Sequence, residues 1–338
     1  MSRWVVVLAG GMGTRFWPLS TRERPKQLLP LAGDDPMIVE TIRRVRPVAQ
    51  HVLVLTSASL RAAIARLLPE LPSDHILVEP APAGTAAALT WAASEIERRE
   101  GPDATMISVH ADWTISDEPA FQRALLEAAS VAESKHALVT VGIVPSRPDP
   151  GFGYVVPSGT DGARPVERFV EKPSREVAAS LIKKGALWNS GIFAWRVGDF
   201  LGEVRRHTTE VAPALAAAKG DATRFFSAVK PISVDHGVLE RSDRVMVIAG
   251  QFGWDDVGTW SALRRVRRRD AEGNATHGRV IVRESRDNIL HAEGGTVVVY
   301  GVDGLVVVTR PGVTLVTTVE RATDLKSLVE SLPSELKE

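Results

Sequence analysis

The sequence contains no cysteine, which excludes several classes of chemistry together. Without thiols the chain has no disulfide framework, no cysteine nucleophile, no thiolate zinc cluster, no iron–sulfur centre and no thiol redox motif. An excess of charge of either sign is missing too, because 41 basic residues balance 41 acidic residues. No global field would draw such a chain to nucleic acid or to a membrane surface. We therefore expect neither nucleic acid nor membrane among its partners.

Long hydrophobic runs are also absent. The apolar run at residues 4–9 is shorter than the core of a signal peptide and leads directly into a glycine cluster. The longest later run, residues 297–308, is interrupted by Gly301, Asp303 and Gly304. Neither provides the ~18 apolar residues that a membrane-spanning helix needs. The sequence predicts a soluble chain, and we expect it in the cytoplasm.

The first half of the chain alternates short apolar, β-branched runs with helical patterns. Such alternation predicts an α/β fold with a Rossmann-like, mostly parallel sheet flanked by helices. In an open sheet of that type ligands bind at the carboxyl edge, so the loops after the strands should carry the chemistry. The predicted strands are residues 5–8, 52–55, 76–78, 105–109 and 138–143.

The pattern changes near Gly273 to short, closely spaced strands separated by Gly, Asn and Asp. It predicts a small all-β unit, so we divide the chain into a catalytic domain at 1–270 and a second domain at 271–338. A final helix would place Leu325, Leu328, Val329 and Leu332 on one face. That face would pack on the body or on a neighbouring subunit, and a homodimer is one assembly that it would allow.

The first predicted strand runs into a glycine-rich turn at residues 9–14. Three glycines in four positions let the backbone approach a ligand and present N–H groups to an anion. The turn lacks the Lys-Ser/Thr ending of a P-loop, and Phe16 breaks the GxGxxG pattern. Arg15 and Lys26 follow as cations that could meet phosphate oxygens. We interpret the turn as a phosphate-binding element, with a purely structural glycine turn as the alternative.

The longer string GGMGTRFWPLS at 10–20, followed by RPKQ at 24–27, closely resembles the signature of the sugar-1-phosphate nucleotidyltransferases. Its WPLS and PKQ portions are most similar to the members that use GTP and mannose 1-phosphate. The resemblance implies these two substrates, and it implies that the short β-rich tail is a left-handed parallel β-helix-like cap. It also implies nucleotide contacts by Leu8, Ala9, Gly10, Gly11, Gly13 and Thr14.

A second motif, residues 79–86, follows the third strand and opens a helix. The family carries an Asn-Thr-Ala-Pro string here that lines the base pocket, and this sequence departs from it at Gly84 and Ala87. The resemblance assigns Glu79, Gly84 and Thr85 to the nucleotide. A carboxylate such as Glu79 can accept from the N1–H and N2–H of guanine, which uracil and adenine do not offer. A plain helix start capped by Thr85 is the alternative.

Two aspartates stand where the family holds a metal. The string VHADW at 109–113 is similar to the family's Pro-Ala-Asp-His, and GWDDVGTW at 253–260 is similar to its Trp-x-Asp-Val-Gly-x-Trp. The resemblance implies Mg²⁺ on Asp112 and Asp256, an ion that needs only one or two carboxylates besides substrate phosphates. Asp255 is a rival in the same loop. As isolated residues, these aspartates would more often form turns or caps.

Two further strings, FVEKP at 169–173 and WNSGIF at 188–193, resemble the sugar-binding elements of the family. The resemblance implies that Glu171 holds sugar hydroxyls and that Lys172 meets the sugar phosphate, although a Glu-Lys pair alone would indicate solvated surface. Amide, carboxylate and aromatic groups together can supply the polar partners and the apolar face that a sugar needs. The other residues assigned to the hexose are Gly153, Asn189 and Gly191.

Taken together, the motifs imply nucleotidyl transfer without a protein nucleophile. An oxygen of mannose 1-phosphate would attack the α-phosphorus of GTP in line and pyrophosphate would leave, so catalysis consists of positioning and charge stabilisation. Arg15 and Lys26 would hold the triphosphate, and Lys172 the sugar phosphate. The alternatives are the same chemistry with another nucleoside triphosphate or hexose 1-phosphate, and a catalytically silent sugar-nucleotide sensor.

One basic run lies outside these motifs. Five arginines fall within residues 264–269, after a helical start, and could suggest contact with RNA or polyphosphate. We interpret the run as a solvated or subunit-facing helix end.

Overall fold

Short strands and helices alternate along the first half of the chain, as the sequence predicts. The structure, a computed structural model, describes residues 2–11, 16–159 and 162–337. The strands are β1 (Arg3–Leu8), β2 (His51–Ser57), β3 (Ile76–Glu79), β4 (Thr105–His110), β5 (Thr114–Ile115), β6 (Leu138–Ile143), β7 (Tyr154–Pro157), β8 (Arg164–Val170), β9 (Leu187–Arg196), β10 (Val245–Gly250), β11 (Trp254–Asp255), β12 (Ala275–Arg283), β13 (Ile289–Tyr300), β14 (Leu305–Arg310) and β15 (Val313–Thr318). The helices are α1 (Met37–Val45), α2 (Arg61–Leu67), α3 (Gly84–Glu100), α4 (Glu118–Lys135), α5 (Arg175–Lys183), α6 (Val197–His207), α7 (Ala212–Ala218), α8 (Ala222–Ala228), α9 (Trp260–Val266) and α10 (Lys326–Ser331).

Contacts divide the chain into two compact units that are not continuous in sequence. The first unit comprises Met1–Gly10, Ile42–His110 and Asp117–Gly253, and the second comprises Gly11–Thr41, Ala111–Ser116 and Trp254–Glu338. The second unit therefore combines the β-rich tail with two segments that lie far from it in the sequence.

A mixed but mostly parallel sheet organises the first unit. Its strand order is β3-β2-β1-β4-β9-β6-β10-β8-β7. Among the strands that the structure describes, β8 and β9 run opposite to the rest of this sheet. The predicted Rossmann-like architecture is confirmed, and β9 is an antiparallel strand inserted between β4 and β6.

The carboxyl ends of the parallel strands β1, β3 and β4 carry several of the predicted site residues. Leu8 ends β1 and pairs in register with His110 at the end of β4. Glu79 ends β3, where it pairs with Ser57 of β2. Since these strands run in the same direction, the loops that follow them leave from one edge of the sheet.

Apolar packing between helices and sheet forms the core of the first unit. In α3, Leu89, Ala92, Ala93 and Ile96 are buried, which is the face that its spacing predicts. Small alanines let this helix approach its neighbours closely, and the Trp195 and Phe200 rings stack with centroids 4.1 Å apart.

A short parallel β-coil forms the body of the second unit. Strands β12, β13 and β14 pair in parallel, and β15 closes the coil antiparallel to β14. Buried asparagines satisfy its turns, because the Asn288 Nδ2 donates to Asn274 Oδ1 at 2.9 Å and to the carbonyl of Val302 at 3.0 Å. Residues from the segment Gly11–Thr41 pack into the core of the second unit. This core includes Trp17, Leu29, Leu31, Trp260, Ile289 and Val308.

The terminal helix α10 is shorter than its apolar spacing predicts. Leu325 precedes the helix and is buried, and Val329 and Leu332 are partly buried against the core of the second unit. Leu328, predicted on the same face, is exposed. Within the described residues no helix combines the length and the apolar character required to cross a bilayer.

Candidate active site

The glycine-rich turn begins at a firmly anchored backbone. The Ala9 N–H donates to the carbonyl of Leu55 at 2.8 Å, and the Ala9 carbonyl accepts from Thr56 Oγ1 at 3.2 Å. Gly10 and Gly11, the next two residues, are exposed. The predicted nucleotide residues Gly13, Thr14 and Arg15 lie outside the described residues.

Glu79 and Gly10 are brought together at the edge of the sheet. A Cβ at Gly10 would lie 3.1 Å from Glu79 Oε1, so this carboxyl group lies against the start of the turn. Burial raises the pKa of Glu79 to about 7. A carboxyl group that is costly to ionise in the unliganded site can be stabilised in its charged form by donors that a ligand brings.

The start of α3 is tied to a segment that is distant in sequence. Gly84 has a φ of +81°, and a Cβ there would lie 2.3 Å from the carbonyl oxygen of Ile232. Thr85 Oγ1 accepts from the backbone N–H of Val234 at 2.9 Å. The alternative that Thr85 caps the helix is wrong, because Ala83 occupies the cap position and the Thr85 hydroxyl is engaged outside the helix.

Lys26 is the centre of a polar cluster within the second unit. It lies in a turn of 3₁₀ helix directly after Pro25 and is only 3% exposed. Its Nζ donates to Asp112 Oδ2 at 3.1 Å and to the backbone carbonyl of Asp256 at 2.5 Å. A buried ammonium requires such partners, and the structure thereby brings together three of the predicted site residues.

Asp255 and Asp256 differ in what their carboxylates contact. Both oxygens of Asp255 accept from Arg265, Oδ2 from Nε at 2.7 Å and Oδ1 from Nη2 at 3.1 Å, and Oδ1 also accepts from the Val257 N–H. Asp256 Oδ1 accepts from the Gly258 N–H at 3.2 Å. Since Asp255 is committed to a bidentate pair, Asp256 is the better ligand candidate. With Asp112 it offers the hard oxygen ligands that suit a divalent cation.

The interpretation of the arginine run as a solvated or subunit-facing helix end is wrong for Arg267, which is buried, whereas Arg265 is exposed. Arg265 forms the bidentate pair with Asp255. Arg267 is buried, and it donates from Nε to the carbonyl of Leu31 at 2.6 Å, while its Nη2 lies 3.2 Å from His291 Nδ1. Burial lowers the pKa of Arg267 to about 10. Charge density along the sequence cannot reveal the partners of Arg267, because Leu31 and His291 lie 236 and 24 residues away in the chain.

The predicted sugar residues form a second polar cluster, within the first unit. Lys172 Nζ lies 2.9 Å from Glu171 Oε1, directly after β8. A Cβ at Gly153 would lie 2.8 Å from Glu171 Oε2, and the Gly153 carbonyl accepts from the Asn189 N–H at 2.8 Å. Asn189 Oδ1 in turn accepts from the Gly191 N–H at 3.2 Å, where Gly191 has a φ of +72°. Hydrogen bonds, an ion pair and close approach therefore link all five predicted sugar residues in one cluster.

Sequence analysis missed one acidic residue of this cluster, Asp235. Its Oδ1 accepts from Asn189 Nδ2 at 2.7 Å. Asp235 begins a short π-helical turn, Asp235–Leu239, whose spacing matches neither helix nor strand periodicity. No motif or periodic pattern marked it, so only the fold reveals its position.

Comparisons with known proteins agree with this arrangement. A family model described as nucleotidyl transferase matches residues 4–273, and one described as MannoseP isomerase/GMP-like beta-helix domain matches residues 278–332. Nucleotidyltransferases of this kind generally use a divalent metal.

Several curated relatives match nearly the whole chain. The mannose-1-phosphate guanylyltransferase of Escherichia coli (strain K12) is 36% identical over 351 residues, which covers 98% of this chain and 73% of the relative. The xanthan biosynthesis protein XanB of Xanthomonas campestris pv. campestris (strain B100) is 37% identical, over 97% of this chain and 73% of the relative.

A solved structure is also similar over the full length. The crystal structure of a protein described as mannose-1-phosphate geranyltransferase from Thermus thermophilus has a TM-score of 0.90 and 32% identity, and covers 98% of this chain and 99% of its own. On these grounds the chain belongs to the nucleotidyl transferase family and is an enzyme that carries the β-helix domain found with it.

Proposed function

We propose that this enzyme is a mannose-1-phosphate guanylyltransferase, which makes GDP-mannose and pyrophosphate from GTP and mannose 1-phosphate. The observation that carries the proposal is the convergence of the buried Lys26 on the carboxylate of Asp112 and the backbone carbonyl of Asp256. This cation gathers two acidic residues into one place, and their carboxylates suit a site for metal-bound phosphates. The similarity of nearly the whole chain to 73% of a curated guanylyltransferase supports the choice of substrates.

The reaction requires positioning rather than a protein nucleophile. A phosphate oxygen of mannose 1-phosphate attacks the α-phosphorus of GTP, the bond between the α- and β-phosphates breaks, and pyrophosphate leaves with the electron pair. Both substrates are polyanions, so cations must offset their repulsion. We assign this task to Arg15 and Lys26 at the triphosphate and to Lys172 at the sugar phosphate.

Asp112 and Asp256 would hold Mg²⁺, which when bound offsets phosphate charge and polarises the phosphorus–oxygen bonds. The donor set fits this ion, because both side chains offer hard oxygen ligands. Lys26 contributes separately: it holds Asp112 and the Asp256 backbone in place through its two hydrogen bonds.

Recognition of the base and the hexose is assigned to the first unit. Glu79 would accept from the guanine N1–H and N2–H, and Gly10, beside Glu79, would leave room for the nucleotide. Glu171 and Asn189 would bind hexose hydroxyls. The remaining assigned contacts are those of Leu8, Ala9, Gly11, Gly13, Thr14, Gly84 and Thr85 with the nucleotide, and of Gly153 and Gly191 with the hexose.

A substrate matrix tests this proposal. Purified protein is incubated with Mg²⁺, with mannose 1-phosphate or glucose 1-phosphate, and with each of GTP, ATP, UTP and dTTP, and pyrophosphate release is measured. We expect rapid release with GTP and mannose 1-phosphate, and none after chelation of the metal. Faster release with another pair would overturn the substrate assignment. Silence in every pairing, with GDP-mannose still bound, would indicate a sensor.

Three further assignments remain predictions. We propose a catalytic part at 1–270 and a β-helix-like part at 271–338, with a left-handed coil. A homodimer and a cytoplasmic location complete the expected description.

A further inference from the structure

Asp235 occupies the sugar cluster of the first unit in a way that its local sequence does not explain. Its Oδ1 accepts from Asn189 Nδ2 at 2.7 Å. Burial raises its pKa above the ordinary value and the nearby charge of Glu171 adds to the rise, while the hydrogen bond from Asn189 and the charge of His110 oppose it. A second carboxylate thus lies near Glu171, in surroundings that penalise its charge.

Its backbone is held by the element assigned to the nucleotide. The Ile232 carbonyl accepts from the Ala86 N–H at 3.2 Å, and the Val234 N–H donates to Thr85 Oγ1 at 2.9 Å. A π-helical turn begins directly afterwards, a rare geometry that is frequent at functional sites. The start of α3 therefore fixes the place from which Asp235 extends toward Asn189.

The Asn189 amide group has both ends engaged. Its Oδ1 accepts from the Gly191 N–H, and its Nδ2 donates to Asp235. A neutral acceptor could orient the amide equally well and would avoid burying a second negative charge near Glu171. The cost of this carboxylate is understandable if a ligand supplies donors to it. Adjacent hydroxyls of a hexose are such donors and add no charge.

We propose that Asp235 is a further hexose-binding residue, which accepts a hydroxyl of the sugar and positions Asn189, so that together with Glu171 it selects the hexose by its hydroxyl pattern. The inference rests on the proposed function for the identity of the sugar. It predicts that Asp235 contributes to the hexose part of the ligand and not to the nucleotide part.

Binding measurements separate these parts. Calorimetry compares GDP-mannose with GDP for the wild type, for Asp235→Asn, and for the control Glu240→Gln, which removes the same charge from the end of the same turn. Glu240 pairs with His236 and is exposed. We expect Asp235→Asn to weaken GDP-mannose about tenfold or more and to leave GDP within about twofold. Glu240→Gln should change neither.

Kinetics give a second readout. With mannose 1-phosphate as the varied substrate, Asp235→Asn should raise KM about tenfold, whereas the KM for GTP should stay unchanged. The preference for mannose 1-phosphate over glucose 1-phosphate, which differ only in the configuration at C2, should fall as well. A purely structural role would weaken both substrates together or lower only the melting temperature. Either result, or unchanged GDP-mannose affinity, would overturn the inference.

The two proposals can fail separately. If the wild type uses another hexose 1-phosphate, the proposed substrate is wrong, and the same comparison is made with that sugar nucleotide and its nucleoside diphosphate. If Asp235→Asn does not fold, Asp235→Glu keeps the charge and shifts the carboxyl group by one methylene. It should still weaken the sugar nucleotide more than the diphosphate, and equal weakening of both would reject the role of Asp235.

Discussion

At the scale of single residues, the neighbours Asp255 and Asp256 show how different surroundings give identical side chains different roles. Asp255 is 8% exposed and forms the bidentate pair with Arg265. Asp256 instead presents its backbone carbonyl to Lys26. One carboxylate therefore stabilises the loop, and the other is assigned to the metal.

These roles predict opposite consequences for two adjacent substitutions. Asp256→Asn should lower kcat/KM about 100-fold or more with little change in melting temperature, because it removes charge from the reaction site. Asp255→Asn should cost about 1–3 kcal/mol in the free energy of unfolding, because Arg265 loses its partner. Steady-state assays and urea unfolding of both variants check this prediction, and the reverse ranking would contradict it.

Glu79 predicts a pH dependence of nucleotide use. Its pKa of about 7 means that the carboxylate becomes protonated as the pH falls through 7, and it then offers guanine one acceptor fewer. We expect kcat/KM for GTP to fall by up to about tenfold per pH unit below 7. Glu79→Gln should have lower kcat/KM and lack this limb, whereas identical profiles for both proteins would exclude Glu79.

The raised pKa of Glu79 affects protein stability in the opposite direction to nucleotide use: its contribution to the free energy of unfolding is larger at low pH. The pKa of Glu79 is raised from 4.5 to about 7, so the folded protein binds more protons than the unfolded chain between these values. This contribution to stability is therefore complete below pH 4.5 and declines as the pH rises through 7. At neutral and higher pH, the buried carboxylate of Glu79 therefore lowers the free energy of unfolding.

Sequence reasoning could name candidate residues within recognisable strings, but it could not predict contacts between distant residues. Lys26 and Asp112 could be predicted because each lies in a motif. Asp235 and the partners of Arg267 could not, because a hydrogen bond across many residues leaves no periodic trace in the sequence. The functional roles of all these site residues, including Arg15 of the glycine turn, remain predictions.

At the scale of elements, the start of α3 and the segment that carries Asp235 are held together by direct contacts. Gly84 allows the Ile232 carbonyl to approach, and Thr85 binds the Val234 N–H. The helix predicted to serve the nucleotide thereby also positions a residue of the sugar cluster.

Substitutions of two glycines at opposite ends of α3 test whether these contacts matter for activity. Gly84→Ala would place a Cβ 2.3 Å from the Ile232 carbonyl at a φ of +81°, so we expect about 1–3 kcal/mol of destabilisation and a raised KM for both substrates. Gly101→Ala, at a φ of +87° with nothing within 4 Å, should cost stability alone. If the two substitutions changed KM equally, the start of α3 would not link the proposed nucleotide site to the sugar cluster.

Local sequence patterns predict where the strands lie in the chain, but they do not predict the order of the strands in the sheet. The parallel strands β1 to β4 follow from apolar runs between helices. The insertion of β9 between β4 and β6, antiparallel to both, depends on the path of the chain rather than on local composition. This insertion nevertheless brings Asn189 to the sugar cluster.

At the scale of the whole molecule, the β-rich tail forms part of the apolar core that supports the segment around Lys26. Trp17, Leu29 and Leu31, which flank Lys26, share a core with Ile289 and Val308. The β-coil is therefore more than an appendage, because it completes the packing around the lysine segment.

Removing the coil should consequently abolish activity. A chain that ends at residue 273 would expose this apolar core, and we expect it to aggregate or to lose more than about 1000-fold in kcat/KM. The control Val298→Ser changes a side chain of the same coil that is 63% exposed, and it should keep both stability and activity. A well-folded, active truncated chain would show that Lys26 is held without the coil.

The discontinuous second unit also bears on how the protein is made. Lys26 leaves the ribosome early, but its acceptor at Asp256 and the core around Ile289 are synthesised long afterwards. At about 5–20 residues per second, the lysine segment waits on the order of tens of seconds for its partners. The nascent enzyme therefore stays catalytically silent until the strands of the β-coil have been synthesised, and the apolar segment around Lys26 needs protection during that interval.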